Sequence, residues 1–428
     1  MYWCENRSRL DFDLTEDLIA VTAMTGDEHI YTKVQVERAI LPRLREHDTR
    51  YVQVARAGHF ESDGIIVLDD TREPRTVYLD GAYKLSDELR AAGTLPQYAG
   101  EHRCALKFKS WTIQQWIEQE LAGEPYRHAI GYNPEERKRI EKSERAFAER
   151  EPVRVAFGFN ADESDRINKA RAYDTPFRYG WYPVAEELGW NRDDCQRYLK
   201  EISGETFLRS ACVYCPFNRL GEDGVARLKR HPEQVAEALL LEYQSLCLNP
   251  RSTLYRNRTL LSITVANQHL ETMRCFRARL EDAEYALFRV RRIYSAPGRA
   301  DRAVERLETG SRGEMTRRFE QISPSLDVRV EHDIGYGYVR ERQADHYPAH
   351  EEFFVVGLAV VESKTRYGFD RFEAKWRETL GETGPDRWPP PGRRPEHFHQ
   401  AITEHGGCGI PAPGAGRAWT RQREAVQF

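Results

Sequence analysis

Short apolar runs alternate with helical patterns along the first half of the chain. The runs Leu18–Met24, Tyr51–Ala55, Ile65–Leu68 and Val153–Phe157 have the length and the β-branched content of buried strands. Residues Trp111–Leu121 instead have the spacing of an amphipathic helix. Strands separated by helices are typical of βαβ units, so we predict an α/β fold with a mostly parallel sheet flanked by helices.

Composition narrows the classes of protein that the chain can belong to. Of its 428 residues, 40% are hydrophobic and 31% are charged, which is typical of a globular protein with two or three domains. The net charge of −4 argues against a positive electrostatic potential over the whole protein that would attract nucleic acid. A local basic patch remains an alternative. Because we find no apolar run of membrane length and no signal peptide, we expect a cytoplasmic protein with no membrane partner and mostly reduced cysteines.

The character of the sequence changes along the chain, which suggests four regions. We predict an α/β domain, a helical region, a small α+β accessory domain and a Pro/Gly-rich disordered tail, at residues 1–220, 221–284, 285–380 and 381–428. A strand near the start of the third region carries Arg289, Arg291 and Arg292. We expect these arginines on a solvated strand face, with contact to nucleic acid as the alternative.

Four cysteines form the chain's best candidate for a metal site. Cys212 and Cys215 form a C-x-x-C pair, Cys195 precedes them, and Cys104 lies further upstream. A C-x-x-C pair can direct two thiolates at one ion, and two further cysteines would complete a site for zinc or for a [4Fe–4S] cluster. Three alternatives stay open: a dithiol redox pair, buried small side chains and chance spacing.

Several segments resemble the PAPS-reductase-like proteins, where PAPS is phosphoadenosine phosphosulfate. Gly158–Arg166 has the pattern G-x-x-x-D-E-x-x-R, Tyr182–Cys195 resembles a Y-P-L-x-E-W-G-W-like segment followed by a cysteine, and Ser210–Phe217 reads S-A-C-x-x-C-P-F. Thr25–Glu28 and Arg103–Lys107 fall where that family has its second-strand loop and its Cys–Lys segment. The resemblance covers roughly residues 10–250.

The resemblance implies the adenine nucleotide α-hydrolase-like fold of the PP-loop ATP pyrophosphatase superfamily. Members of this superfamily bind ATP or PAPS, and they catalyse adenylation with pyrophosphate release, sulfonucleotide reduction or sulfur transfer. One branch, the DNA phosphorothioation sulfurtransferases, carries a cysteine-bound iron–sulfur cluster. The implied partners are therefore an adenine nucleotide and a sulfur donor or redox partner protein.

The same resemblance assigns candidate site residues. It implies that a [4Fe–4S] cluster or zinc is held by Cys104, Cys195, Cys212 and Cys215. It also implies a set of residues near the nucleotide or its phosphate and sulfate groups, namely Asp27, Glu28, Lys107, Lys109, Gly158, Glu163 and Arg166. Asp27 and Glu28 would orient a ribose or Mg²⁺. For Asp27 and Glu28, the alternative is a role as helix N-cap or first-turn acids. For Glu163 and Arg166 it is a surface ion pair, and for Lys107 and Lys109 it is that they are solvated surface charges.

One family element is missing from the sequence. The family's Gly-rich S-G-G-x-D-S loop cradles phosphate with backbone N–H groups, and it is not found here. We expect this loop to be encoded upstream of Met1. The alternative is a catalytically degenerate fold with a structural metal, acting as a partner in a DNA-modification or phage-defence complex. No catalytic residue is assigned.

Overall fold

The chain folds into two compact units in a computed structural model. The described residues are 2–10, 18–96, 102–120, 153–156, 158–172, 174, 178–208, 210–218, 220–255, 258–322, 329–331, 336–340, 342 and 347–381. The first unit comprises Met1–Asp87 and Ala99–Val213, and the second comprises Glu88–Tyr98 and Tyr214–Phe428. The predicted helical region and the predicted α+β region both belong to the second unit. The predicted tail lies outside the described residues after Gly381.

In the part of the chain that the structure describes, the first unit contains five strands, of which the first four coincide with the predicted apolar runs and the fifth was not predicted. They are β1 (Ile19–Met24), β2 (Arg50–Arg56), β3 (Ile65–Thr71), β4 (Val153–Ala156) and β5 (Arg178–Trp181). Strands β1 and β2 are parallel, as are β4 and β5, whereas β3 is antiparallel to β2. The three-stranded sheet, in the order β1–β2–β3, is therefore mixed rather than mostly parallel. The connection from β2 to β3 is too short for the crossover that a parallel pair requires.

Helices connect and cover these strands. They are α1 (Tyr2–Glu5), α2 (Ile30–Gln35), α3 (Leu41–Glu46), α4 (Leu85–Ala92), α5 (Arg103–Ala105), α6 (Trp111–Glu120), α7 (Ser164–Arg171) and α8 (Arg192–Ser203). A π-helical turn at Val36–Ile40 joins α2 to α3, and another at Leu106–Ser110 joins α5 to α6. Helices α2 and α3 form the crossover between the parallel strands β1 and β2.

Both faces of the three-stranded sheet are covered. On one face, Met24 packs in a cluster with Leu41 of α3. On the other face, Ala23 and Val54 pack against Trp116 of α6. Neighbouring residues of a strand point to opposite faces, so a strand that is covered on both sides must be apolar throughout. This is why the strands are continuous apolar runs in the sequence.

The second unit is built on an antiparallel sheet with the order β11–β7–β6–β10–β9–β8. Its strands are β6 (Tyr285–Ala296), β7 (Arg299–Gly310), β8 (Arg329–Glu331), β9 (Tyr336–Arg340), β10 (Ala349–Leu358) and β11 (Lys364–Thr365). Its helices are α9 (Glu222–Lys229), α10 (Pro232–Leu248), α11 (Leu260–Ala266), α12 (Leu270–Asp282), α13 (Arg312–Ile322) and α14 (Phe369–Leu380). None of the described helices is both long enough and apolar enough to cross a bilayer.

The arginines of β6 do not lie on a solvated face, so that expectation is wrong. Arg289, Arg291 and Arg292 are 6%, 3% and 4% exposed. Arg289 pairs with Glu352 at 2.7 Å, and Arg292 pairs with Glu351 at 2.5 Å, both on the neighbouring strand β10. The sheet is covered on both faces, and carboxylates from adjacent strands compensate the guanidinium groups.

A buried carboxylate organises the helices of the second unit. Glu242 of α10 is 1% exposed. Its oxygens accept backbone N–H bonds from Leu254 (3.3 Å), Leu260 (2.8 Å) and Leu261 (2.9 Å), so it caps the first turn of α11. Burial outweighs these hydrogen bonds and raises the pKa of Glu242 to about 7.

We predict that Glu242 makes the stability of the protein depend on pH. Between its ordinary pKa of 4.5 and about 7, the folded state holds a proton that the unfolded chain has lost. The contribution of Glu242 to the free energy of unfolding should therefore be largest below this window and fall by up to about 3 kcal/mol as pH rises through it. Urea denaturation at about pH 4.5 and about pH 8 measures this fall.

Matched variants isolate the contribution of this carboxyl group. The Gln side chain in Glu242→Gln mimics the neutral carboxyl group. The free energy of unfolding of this variant should therefore fall less than that of the wild type as pH rises. Glu281→Gln, at an exposed position of α12, should follow the wild type. A constant stability difference between wild type and Glu242→Gln across the window contradicts the prediction.

Candidate functional site

The loop that follows β1 is held in place by its own backbone and by one carboxylate. Gly26 has φ +89°, and a Cβ there would lie 2.6 Å from Cγ of Lys84. The carbonyl of Thr25 accepts a hydrogen bond from the Leu85 amide at 2.9 Å. The Asp27 carboxylate accepts one from the Ser86 amide at 2.8 Å. The Asp27 side chain thus anchors the loop to the start of α4.

A segment nearly two hundred residues away pairs with this loop. The His29 amide donates to the Ala211 carbonyl at 3.1 Å, and the Val213 amide donates to the Asp27 carbonyl at 3.0 Å. Glu28 and Cys212 lie opposite each other in this antiparallel bridge. The Thr25 Oγ1 and Cys212 Sγ atoms are 3.3 Å apart. The pairing therefore brings Cys212 to the carboxyl end of β1.

Lys109 supplies positive charge at the same place. Its Nζ lies 2.7 Å from Oε1 of Glu28, and the Glu28 side chain is only 10% exposed. Burial lowers the pKa of Lys109, but the charge and the hydrogen bond of the Glu28 carboxylate act in the opposite direction, and the pKa is raised overall. Lys109 is therefore an ammonium ion that remains 43% exposed, and it can meet a second anionic group.

The Cys212 thiol is held in its protonated form. Burial raises its pKa far above the ordinary value, and the carboxylates of Glu28 and Asp27 add to this effect. The hydrogen bond with Thr25 and the charge of Lys109 act in the opposite direction, without cancelling it. The thiol, unlike the thiolate, is a poor nucleophile and a poor metal ligand.

Arg56 ties the end of β2 to the segment that carries the lysines. Its buried guanidinium group donates to the carbonyl of His59 at 2.9 Å and to that of Lys107 at 3.4 Å. It also lies over the Trp111 ring, 4.5 Å from the centroid. The π-helical turn that contains Lys107 and Lys109 is thereby fixed next to the loop after β2. Turns of this type are frequent at functional sites.

The predicted residues after β4 form a separate local group. Glu163 and Arg166 form an ion pair at the start of α7, with Arg166 63% exposed on its side chain. The Arg166 guanidinium group lies over the Phe159 ring at 4.6 Å, and Gly158 is exposed. These contacts agree with the surface-pair alternative. Nothing in them tests contact with a substrate.

The four cysteines have different surroundings. Cys104 and Cys212 both lie close enough to Lys109 to act on its pKa. Burial and the carboxylates of Asp194 and Asp162 raise the pKa of Cys195. Cys215, whose carbonyl accepts from the Asn218 amide at 3.1 Å, belongs to the second unit. Among the described residues, no group of three or more His, Cys, Asp and Glu side chains is arranged to hold a metal ion.

Sequence reasoning missed two residues of this region. The sequence places Thr25 only in the loop after β1, yet its hydroxyl contacts Cys212. Arg56 was not singled out, although a charged residue that ends the apolar run of β2 is a signal for a buried, paired group. Comparison with protein-family models, curated proteins and solved structures finds no match to this chain.

Substitution of Gly26 tests how closely the loop is packed. Gly204 also has a positive φ, +71°, but a Cβ there meets nothing within 4 Å, so it is the matched control. We expect Gly204→Ala to cost about 1–2 kcal/mol for the backbone conformation alone. Gly26→Ala should cost about 3 kcal/mol, because the Lys84 side chain must also move. Equal losses in urea denaturation would show that the Lys84 contact does not require glycine.

Proposed function

We propose that the chain binds an adenine nucleotide, ATP or PAPS, at the carboxyl ends of β1 and β2. It would act there as a PAPS-reductase-like enzyme of the PP-loop superfamily, in phosphoanhydride or sulfur chemistry. One observation carries this proposal. The β1 loop, the segment of Lys109 and the segment of Cys212 lie far apart in the sequence, yet they converge at one edge of the sheet.

The position of this group supports a ligand site. Ligands of α/β sheets bind beyond the carboxyl ends of parallel strands, and β1 and β2 are such a pair. Thr25 follows the end of β1, and Arg56 is the last residue of β2. The proposed nucleotide therefore lies against the loops that these two residues hold.

The charges assign a role to each residue. Lys109 would bind a phosphate or sulfate oxygen through its exposed ammonium group, and Lys107 in the same turn would add a second charge. Glu28 positions Lys109 through their ion pair. Asp27 holds the loop through the Ser86 amide, so its main role in this proposal is to maintain the shape of the site.

The cysteines extend the proposal to a metal centre. We keep Cys104, Cys195, Cys212 and Cys215 as proposed ligands of an iron–sulfur cluster or zinc. Burial raises the pKa of the Cys212 thiol, so binding of a metal ion there would require this thiol to lose its proton. A bound cluster would supply electron or sulfur chemistry, and zinc would supply a structural link.

Nucleotide binding tests the first part of the proposal. Isothermal titration of the full chain with ATP and with PAPS should show binding of at least one of them. Lys109→Met should weaken this binding by about 10- to 100-fold, because a charge-assisted hydrogen bond contributes about 1.5–3 kcal/mol. Lys200→Met, at an exposed position of α8, should bind like the wild type. If the wild type binds neither nucleotide, the nucleotide proposal is wrong and the degenerate binding module is favoured.

Metal analysis tests the second part. After anaerobic purification, we expect iron with sulfide and a broad visible absorption band, or stoichiometric zinc without colour. Either metal should be lost in Cys212→Ser. Cys247→Ser, at a buried cysteine of α10, should retain it. The absence of metal from the wild type would overturn the four-cysteine site but leave the nucleotide proposal standing.

A further inference from the structure

The second unit contains an unusual group of charges at one end of its sheet. The face that packs against α10 is apolar at Phe288 and Val290 of β6. Further along the same strand and on the same face lie Arg292 and Tyr294, because every second residue of a strand points to one side. At this end of β6, charged and polar side chains therefore occupy the positions that apolar residues occupy in the core.

Two of these charges have the same sign and lie directly opposite each other. Arg292 of β6 pairs in register with Arg302 of β7. Like charges at such positions destabilise a sheet. The guanidinium group of Arg302 donates to the Ala92 carbonyl at 2.8 Å. Burial, together with the charge of Arg292, lowers the pKa of Arg302 to about 10.

The carboxylate nearest to this pair is already engaged. Glu351 of β10 is 1% exposed, and its Oε2 atom lies 2.5 Å from Arg292. Arg251 lies 2.8 Å from its Oε1 atom, and the Tyr294 hydroxyl donates to its Oε2 atom at 3.0 Å. Burial raises the pKa of Glu351, but Arg292 and Arg251 outweigh burial and lower it overall. Two arginines thus share this carboxylate, which does not balance Arg302.

Other acids of these strands serve the opposite face of the sheet. Asp301 of β7 binds Lys375 of α14, and Glu352 of β10 binds Arg289. A further cation is present instead, because the Arg342 guanidinium group lies 4.2 Å from the centroid of the Tyr294 ring. In the described part of this region, Arg251 and Arg292 bind Glu351, Arg302 lies opposite Arg292 in the sheet, and Arg342 stacks on the ring of Tyr294, whose hydroxyl also binds Glu351.

Helix ends account for only part of this arrangement. Arg302 reaches the Ala92 carbonyl at the end of α4, and Arg292 reaches the Leu248 carbonyl at the end of α10. A helix C-terminus offers about half a negative charge, spread over its last carbonyls. Counted over the described residues alone, two such termini and one carboxylate leave an excess of positive charge on the four arginines. A structural capping role therefore explains the hydrogen bonds but not the number of cations.

We propose that Arg251, Arg292, Arg302 and Arg342, the arginine cluster, bind a phosphate group. The guanidinium fork matches the oxygens of phosphate, and several forks around one group are typical of phosphate recognition. Arg251, whose side chain is 45% exposed, gives the ligand access from solvent. The phosphate belongs to a free phosphate, to a nucleotide or to a nucleic-acid backbone. This site lies in the second unit and does not depend on the proposed nucleotide site.

Titration of the full chain with inorganic phosphate tests the cluster. In phosphate-free buffer, we expect added phosphate to raise the unfolding temperature of the wild type and to give a binding isotherm. Arg302→Met keeps the apolar stem and should weaken binding at least tenfold. Arg251→Gln should also weaken phosphate binding at least tenfold. Because this position is half-exposed, the variant tests the cluster even if Arg302→Met does not fold. Arg318→Gln on α13, which breaks a partly buried ion pair with Glu308 away from the cluster residues, should bind like the wild type.

Two further comparisons separate the sites and the sources of phosphate. Lys109→Met should retain phosphate binding at the cluster. If phosphate has no effect on the wild type, or if binding is lost in Lys109→Met but kept in Arg302→Met, the proposal is overturned. Adenosine monophosphate and a short DNA duplex distinguish the sources. Tighter binding of the duplex, with a salt dependence that Arg251→Gln reduces, would assign the site to a nucleic-acid backbone, and preference for the mononucleotide would assign it to a small ligand.

Discussion

A short antiparallel bridge between the β1 loop and the segment of Cys212 is the interaction on which the candidate site depends. Two backbone hydrogen bonds, at 3.1 and 3.0 Å, join residues 27–29 to residues 211–213. Because backbone groups make the bridge, it sets the register of the two segments whatever side chains they carry. The contact between Thr25 and Cys212 and the position of Glu28 opposite Cys212 follow from that register.

The electrostatics of the site follow from this convergence. Lys109 is stabilised as a cation by Glu28, whereas Cys212 is kept as a thiol by burial and by the same carboxylate. One carboxylate thus favours the charged form of the lysine and disfavours the charged form of the cysteine. A cation that bound near Glu28 would reverse the second effect and favour the thiolate. Metal binding and thiol ionisation at this site are therefore coupled in our proposal.

In the second unit, buried charged side chains pair with each other across neighbouring strands of one sheet. Its sheet buries arginines that are compensated by carboxylates across the strands, as in the pairs of Arg289 with Glu352 and Arg292 with Glu351. Removing one member of such a pair leaves an uncompensated buried charge, which destabilises more strongly than the intact pair stabilises. Arg302 stands out because the charged group that acts on it is another arginine. This contrast within one sheet is what distinguishes the arginine cluster from ordinary structural pairing.

The sequence by itself determined where the main strands lie. Runs such as Leu18–Met24 and Tyr51–Ala55 coincide with β1 and β2, because apolar β-branched stretches bury well in a sheet that is covered on both faces. Only the tertiary structure decided which of the polar residues meet. Lys109 joined Glu28 through a contact between distant segments, whereas Glu163 and Arg166 paired locally on α7. Sequence spacing specifies local pairs, but contacts between distant segments depend on strand register and burial, which no local pattern encodes.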